Sequence, residues 1–170
     1  MNVGLLPGGV GLTGETIEAL EIREIRSSRI LLVENLTCYH HVVQESQEGT
    51  VVIFAGGFPH RHLQKLLQKL STFLEEPREQ TICIQHWGDL DYGGIRIFEF
   101  IRRKLVLQLR PYLMDVATYE EFRVQGISFG KLYERKLSSL LEDGSFAEWH
   151  PLVEAILREG YRVEQESLLR

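Results

Sequence analysis

The stretch QHWGDLDYGGIRIF, residues 85–98, joins the end of an apolar run to two aspartates, two glycines and the start of a helical pattern. The apolar run begins at Thr81 and stops before Gly88, which is typical of a buried strand. From Gly94 to Leu107, apolar residues recur at three- and four-residue steps and make one helical face. The pattern predicts a strand over 81–87 and a helix over 94–107, with both aspartates where the strand ends.

The rest of the chain alternates in the same way. Apolar runs predict strands over 29–35, 50–55 and 112–117, and amphipathic patterns predict helices over 37–47 and 60–74. Strands and helices that alternate along a chain predict an α/β fold, in which a parallel sheet carries helices on both faces. Additional helices are predicted over 120–123, 131–142, 146–158 and 163–169.

Length and composition predict one globular domain. The chain has 170 residues, of which 44% are hydrophobic and 25% charged. No run approaches the length of a membrane span, and the amino terminus lacks the features of a signal peptide, so a cytoplasmic location without membrane contact is expected. We interpret residues 1–28 as an amino-terminal arm at the edge of a longer protein, and residues 29–170 as the domain with its helical extension.

Three acidic residues fall at predicted strand ends. Glu34 ends the first strand, and Asp89 and Asp91 follow the third. If the strand order is 2-1-3-4, the first and third strands are neighbours about 4.8 Å apart, and the three carboxylates share one crevice. Residues at i and i+2 of an extended segment point to the same side, which lets the two aspartates converge.

Three carboxylates in one crevice repel one another unless a cation neutralises them. Oxygen ligands without a cysteine or histidine pattern favour Mg²⁺ or Mn²⁺. Gly93 and Gly94 allow a phosphate to approach the backbone where a helix begins. The pattern therefore indicates a metal held against a phosphate, although a D-x-D pair alone also arises from turn acids and helix caps.

The charge distribution bears on nucleic acid. The net charge is −5, which argues weakly against phosphate binding. However, residues 58–69 carry three basic residues and no acid, and residues 96–110 carry five basic residues against one acid. Arg61, Lys65 and Arg96 are the candidate DNA-binding residues, and solvated helix faces are the alternative interpretation.

Three motifs together resemble a Toprim domain, the metal-binding module of topoisomerases, primases and several nucleases. They are VEN at 33–35, GGFPHR at 56–61 and GDLDYGGIRIF at 88–98. Within that class, the motifs resemble the Toprim-like carboxy-terminal domains of the JetD family, the nuclease subunits of Wadjet plasmid-defence systems, which are similar to the A subunit of topoisomerase VI. The resemblance covers residues 29–117, and EQESLL at 164–169 fits the tail of that family.

The resemblance implies a four-stranded parallel sheet of order 2-1-3-4 and metal-dependent cleavage of DNA. By position, Glu34 matches a general acid or base near the metal, Asp89 and Asp91 match metal ligands, and Arg61 matches a residue near the DNA backbone. The implied partners are DNA, an SMC-like ATPase assembly of the defence complex and, as a further possibility, a second copy of the chain.

Other functions stay open on the sequence. The topoisomerase relatives use a nucleophilic tyrosine from a separate domain, and Tyr39, Tyr92 and Tyr133 are formal candidates that fit packing better. Metal-activated water is therefore the favoured nucleophile. A non-catalytic module that binds DNA or partner subunits is the second class. A phosphatase of the haloacid-dehalogenase type is a weaker alternative, because its D-x-D pair ends the first strand.

Overall fold

The computed structural model describes residues 9–45, 49–77 and 79–169. Its centre is a parallel sheet of four strands in the order β2-β1-β3-β4. The strands are β1 (Arg29–Val33), β2 (Thr50–Phe54), β3 (Cys83–Trp87) and β4 (Arg110–Pro111). This confirms the predicted α/β class and the predicted order 2-1-3-4.

The three longer strands pair so that they end at the same level. Val33 of β1 pairs with Phe54 of β2 on one side and with Trp87 of β3 on the other. The ladder extends one residue further, because the amide of Glu34 donates to the carbonyl of Trp87 at 3.0 Å. The residues that follow these strands therefore leave the sheet along one border, which we call the carboxyl edge.

Three helices connect the strands, and all three were predicted. They are α2 (Leu36–Glu45), α3 (Arg61–Glu75) and α4 (Tyr92–Lys104). The apolar face of α3 buries Leu63, Leu67 and Leu70. The apolar residues of β1 after Arg29 are almost completely inaccessible, as expected for a central parallel strand covered on both faces.

The fourth strand was predicted in the wrong place. The prediction was 112–117, but β4 contains only Arg110 and Pro111. Leu113 then adopts a left-handed conformation with φ of 54°. Asp115 caps the next helix, α5 (Val116–Phe122), by accepting a 2.8 Å hydrogen bond from the amide of Thr118. Because the cap stabilises a helix after Asp115, the predicted strand over 112–117 is divided between a turn and the first residues of α5.

The carboxy-terminal third contains the expected helices and one small sheet. The elements are β5 (Ile127–Ser128), α6 (Lys131–Glu142), a 3-10 helix (Gly144–Trp149), α7 (His150–Glu159), β6 (Tyr161–Arg162) and a 3-10 helix (Gln165–Leu168). Strands β5 and β6 pair antiparallel. The helix predicted over 163–169 is corrected to the short 3-10 helix, because Val163 forms an isolated antiparallel bridge with Leu90.

The amino-terminal region contains a short helix, α1 (Gly14–Ala19), that was not predicted. It packs against α3 with Ile17 buried, and the ammonium group of Lys69 donates to the carbonyls of Glu18 and Leu20, both at 2.7 Å. Residues 1–8 of the predicted arm lie outside the described residues, and the boundary at residue 28 stays a prediction. None of the helices in the described ranges combines the length and apolar character needed to span a bilayer.

Gly94 sets the distance between α4 and the loop that carries Asp89. A Cβ at position 94 would lie 2.1 Å from the carbonyl oxygen of Asp89. We expect Gly94→Ala to lower the free energy of unfolding by about 1–3 kcal/mol, because backbone has to move to relieve the overlap. Urea denaturation measures the change. Gly144→Ala is the control, since its Cβ would meet nothing within 4 Å. Equal losses in the two variants would contradict this account of α4.

Candidate metal centre

Glu34 is placed at the carboxyl edge by the pairing of β1 with β3. Its side chain lies over Gly88, where a Cβ would be 2.6 Å from Glu34 Oε2 and 2.8 Å from His86 Nε2. A residue with a side chain at position 88 would therefore displace the carboxylate. The glycine that ends the third strand is required by the approach of Glu34 and His86.

One oxygen of the Glu34 carboxyl has no hydrogen-bond partner among the residues that the structure describes, although the carboxyl accepts a backbone hydrogen bond from Asp89 that partly opposes the rise of its pKa. This oxygen is Oε2, which is buried. Within the described ranges, both ring nitrogens of His86 are also buried without a hydrogen-bond partner. His86 Nε2 lies 3.9 Å from Glu34 Oε2. Burial lowers the pKa of His86 to about 3, so the ring is neutral near pH 7 and supplies no positive charge to the carboxylate.

Asp89 lies beside Glu34 and is partly exposed. Its Oδ1 accepts a 2.7 Å hydrogen bond from the amide of Gln165. Burial raises the pKa of Asp89 to about 6, and the charges of Asp91, Glu164 and Glu166 add to this increase while the Gln165 amide opposes it. Asp89 is thus held by the carboxy-terminal segment in a strongly negative environment.

The pKa of Glu34 is raised further, to about 8, mainly by burial and then by the charges of Asp89 and Asp91. Glu166 contributes in the same direction. Without a cation, Glu34 therefore holds a proton near neutral pH. The carboxyl edge concentrates more negative charge than it can hold in ionised form, which is the electrostatic condition that a divalent cation relieves.

Asp91 has a different environment from the other two acids. It is buried and caps α4, because its Oδ1 accepts from the amide of Gly94 at 2.8 Å. Its Oδ2 accepts from the hydroxyl of Tyr133 at 2.8 Å and from the guanidinium of Arg162 at 3.2 Å. Both oxygens therefore have protein partners. The role of Asp91 as a metal ligand stays a prediction, and its contacts identify it as a structural cap.

The arrangement fits an open metal site better than a closed one. In the described ranges, no three histidine, cysteine, aspartate or glutamate side chains are close enough to hold a metal ion together. Glu34 and Asp89 are the neighbouring carboxylates that could bind a cation without breaking a helix cap. Mg²⁺ is commonly held by one or two carboxylates, with water and substrate phosphate as its other ligands. The residues fit such an ion.

The helix start expected to receive a phosphate is partly occupied by the protein. The amide of Tyr92 donates to the hydroxyl of Tyr133 at 3.1 Å, and the amide of Gly94 donates to Asp91. Burial and the neighbouring Asp91 raise the pKa of Tyr133 above its ordinary value. Tyr133 therefore lacks the lowered pKa of an activated nucleophile and acts in this structure as a partner of Asp91.

The segment containing Glu164 and Glu166 lies at the carboxyl edge, whereas the sequence alone predicts only a helix over 163–169. Its Gln165 is completely buried at the carboxyl edge, and Glu166 accepts from the side-chain amide of Asn35. Glu164 pairs with Arg162 at 3.2 Å. The sequence signal is the pair of glutamates in EQESLL, which does not indicate that the segment contacts strand ends 130 and 78 residues earlier in the chain.

The three candidate DNA-binding residues lie in different environments. Arg61 is exposed where α3 begins, next to His60, which caps the helix by accepting from the amide of Leu63 at 3.4 Å. Arg96 is exposed on α4 and lies over the ring of Tyr92, with 5.4 Å between its guanidinium carbon and the ring centroid. Lys65 is half-buried and lines a groove with the amino-terminal segment. Arg61 and Arg96 are therefore the more accessible two.

Comparison with known proteins identifies one family. The family model described as "Wadjet protein JetD, C-terminal" matches residues 3–170. A relative named "Wadjet protein JetD" from Bacillus cereus (strain Q1) is 44% identical over 168 residues, which cover 99% of this chain. The chain spans about 40% of the length of that relative.

The raised pKa of Glu34 predicts how stability changes with pH when metal is absent. Between the unfolded pKa of 4.5 and the folded pKa of about 8, the folded chain holds a proton that the unfolded chain releases. The stabilisation is complete below the unfolded pKa and is lost as the pH rises through the folded pKa. We expect the free energy of unfolding in EDTA to fall by about 2–4 kcal/mol between pH 5 and pH 8.

Urea denaturation of the native chain and Glu34→Gln at both pH values provides the test. The glutamine variant cannot ionise at this position, so its loss of stability over the same interval should be smaller. Asp89 contributes in the same direction at lower pH in both proteins, since its pKa is also raised. Parallel pH profiles for the two proteins would contradict the assignment of this effect to Glu34.

Proposed function

The chain belongs to the family of Wadjet JetD carboxy-terminal domains, and from this premise we propose that it is a metal-dependent nuclease domain that hydrolyses DNA phosphodiesters. The cation is Mg²⁺ or Mn²⁺. The observation that carries the proposal is the pair Glu34 and Asp89, two partly buried carboxyls at adjacent strand ends whose pKa values are raised to about 8 and about 6. Ionising both is costly in the metal-free protein, and a divalent cation removes that cost.

The two carboxylates have different roles in this proposal. Asp89 is the partly exposed ligand, with one oxygen fixed by the amide of Gln165. Glu34 has a buried Oε2 without a hydrogen-bond partner among the described residues, so it would bind the cation when ionised and would hold a proton beside the scissile phosphate when it is not. When bound, the cation supplies charge neutralisation at the phosphoryl oxygen and a lower pKa for water. Asp91 maintains the position of α4 through its contacts with Gly94 and Tyr133.

Two arginines are proposed to hold the DNA backbone. Arg61 begins α3 after β2, and Arg96 lies in the second turn of α4 after β3, so both are near the border where Glu34 and Asp89 lie.

Arg102 and Arg103 of the same basic stretch both pair with Glu99, which is buried. Their charges are therefore paired within the protein, which leaves them less able to bind DNA. The contribution of Lys65 should be smaller, because it lies against the amino-terminal segment.

The biological setting follows from the family. We propose that the parent protein is the DNA-cleaving subunit of a Wadjet plasmid-defence complex and that an SMC-like ATPase assembly delivers its substrate. A second copy of the chain as a partner and a cytoplasmic location are also part of this proposal. The alternative is a non-catalytic module that binds DNA or partner subunits, which the occupied oxygens of Asp91 favour.

Cleavage of plasmid DNA tests the proposal. The full-length parent protein with Mn²⁺ should produce nicked or linear DNA, and Glu34→Gln and Asp89→Asn should each reduce the rate at least about 100-fold, because each removes a carboxylate that binds the cation. Glu154→Gln is the matched control, since this exposed glutamate lies on α7 and should leave cleavage unchanged. Asp91 is left intact because a loss of activity there would also report a loss of the helix cap.

Two results separate the alternatives. Cleavage at native rates by both variants would rule out the metal centre. Binding of DNA without cleavage, with either cation and with partner subunits present, would support the non-catalytic module instead.

The affinity for DNA tests the two arginines. Arg61→Ala and Arg96→Ala should weaken DNA binding and reduce its salt dependence, whereas Arg158→Ala on α7 should do neither, because Arg158 pairs with Glu159.

A further inference from the structure

Gln165 is a buried polar residue with hydrogen bonds to three parts of the carboxyl edge. Its backbone amide donates to Asp89 Oδ1 at 2.7 Å, and its side-chain amide donates to the carbonyl of Trp87 at 3.1 Å. Its side-chain oxygen accepts from the amide of Asn35 at 2.8 Å. The residue has no exposed surface. One glutamine therefore contacts the end of β1, the end of β3 and an acid of the candidate metal centre.

These contacts complete the hydrogen bonding at the end of the sheet, because the amide of Asn35 donates to the glutamine side chain and the carbonyl of Trp87, which already accepts from the amide of Glu34, gains a second donor. The amide of Asn35 and the carbonyl of Trp87 lie where the parallel ladder ends. A buried amide without a partner is costly, so the glutamine side chain stabilises the end of β1 and adds a second hydrogen bond at the end of β3. The side chain also anchors its own backbone, which is the donor to Asp89.

The neighbouring residues fix the segment from the amino-terminal side. Val163 and Leu90 exchange backbone hydrogen bonds of 2.9 and 3.3 Å and are both completely buried. Asp89 is thus held between the Leu90–Val163 bridge and the amide of Gln165. Its carboxylate cannot rotate without losing the 2.7 Å hydrogen bond.

We propose that Gln165 is a positioning residue for Asp89 and that residues 163–166 form one wall of the candidate metal centre, an inference that rests on the proposed function. The amide of Gln165 fixes one oxygen of Asp89 and leaves the other for a cation. Hydrogen bonds to metal-binding carboxylates commonly change metal affinity 10- to 100-fold. The chain therefore completes its metal centre with a segment that follows the sheet by more than 50 residues, since β4 ends at Pro111.

The test uses Gln165→Met in the full-length parent protein, because methionine keeps the buried volume and removes both side-chain hydrogen bonds. Crystal structures give the position of Asp89, calorimetry gives the affinity for Mn²⁺, and a binding assay gives the affinity for DNA. We expect the Asp89 carboxylate to turn away from residue 165 and the affinity for Mn²⁺ to fall 10- to 100-fold, with DNA affinity unchanged. Gln108→Met, at an exposed position, is the control and should match the native protein.

An unmoved Asp89, or an affinity for Mn²⁺ within twofold of native, would overturn the positioning role. If the native protein binds no Mn²⁺, the proposed function fails, and the displacement of Asp89 alone decides the claim about Gln165. If the methionine variant does not fold, Gln165→Glu replaces it, because it retains the acceptor for Asn35 and loses the donor to Trp87. The position of Asp89 in its crystal structure then decides the claim, because the added carboxylate itself changes the affinity for a cation, and an unmoved Asp89 overturns the positioning role.

Discussion

The parallel pairing of β1 with β3 is the constraint on which the candidate metal centre depends. Because Val33 lies opposite Trp87, the chain places Glu34 beside Gly88 and next to Asp89. A shift of one residue in this register would turn Glu34 to the other face of the sheet. The buried apolar residues of β1 oppose such a shift, because it would move their side chains out of their places in the hydrophobic core. The positions of the acids are thus fixed by hydrophobic packing, whereas their chemistry is set by the charges they bring together.

The carboxyl edge combines a stable scaffold with an unfavourable local charge. Burial and mutual repulsion raise the pKa values of Glu34 and Asp89, and the neighbouring His86 is neutral. A purely structural edge would place a cationic side chain against Glu34, and the neutral ring of His86 supplies no such charge. Perturbed pKa values that arise from burial and like charges are characteristic of functional sites. Asp91 shows the contrast, because a nearby Arg162 and a helix amide satisfy it fully.

The sheet and the position of the acids could be predicted because their signals are local. Runs of apolar residues identify the three longer strands, and the acids follow them directly. The fourth strand could not be predicted, because only two of its residues pair with β3. The residues that follow Asp115 are helical, since Asp115 caps the start of α5. The D-x-D pattern also could not reveal that Asp91 caps a helix, because a cap and a metal ligand both require an acid before the same glycines.

The contribution of the carboxy-terminal segment could not be predicted for a different reason. Gln165 contacts Asn35 across 130 positions of sequence, and no periodicity in EQESLL indicates that contact. A glutamine between two glutamates is equally typical of a helix exposed to solvent. The partner of a buried polar group depends on the tertiary fold, which places this residue against two strand ends.

Anomalous diffraction at the manganese edge, from crystals of the native protein soaked in Mn²⁺, tests the central claim most directly. The account predicts one anomalous peak at the carboxyl edge, about 2.0–2.2 Å from a carboxylate oxygen of both Glu34 and Asp89, as expected for a small divalent cation with oxygen ligands. No peak between these residues at saturating Mn²⁺, or a peak on Glu164 and Glu166 alone, would contradict it.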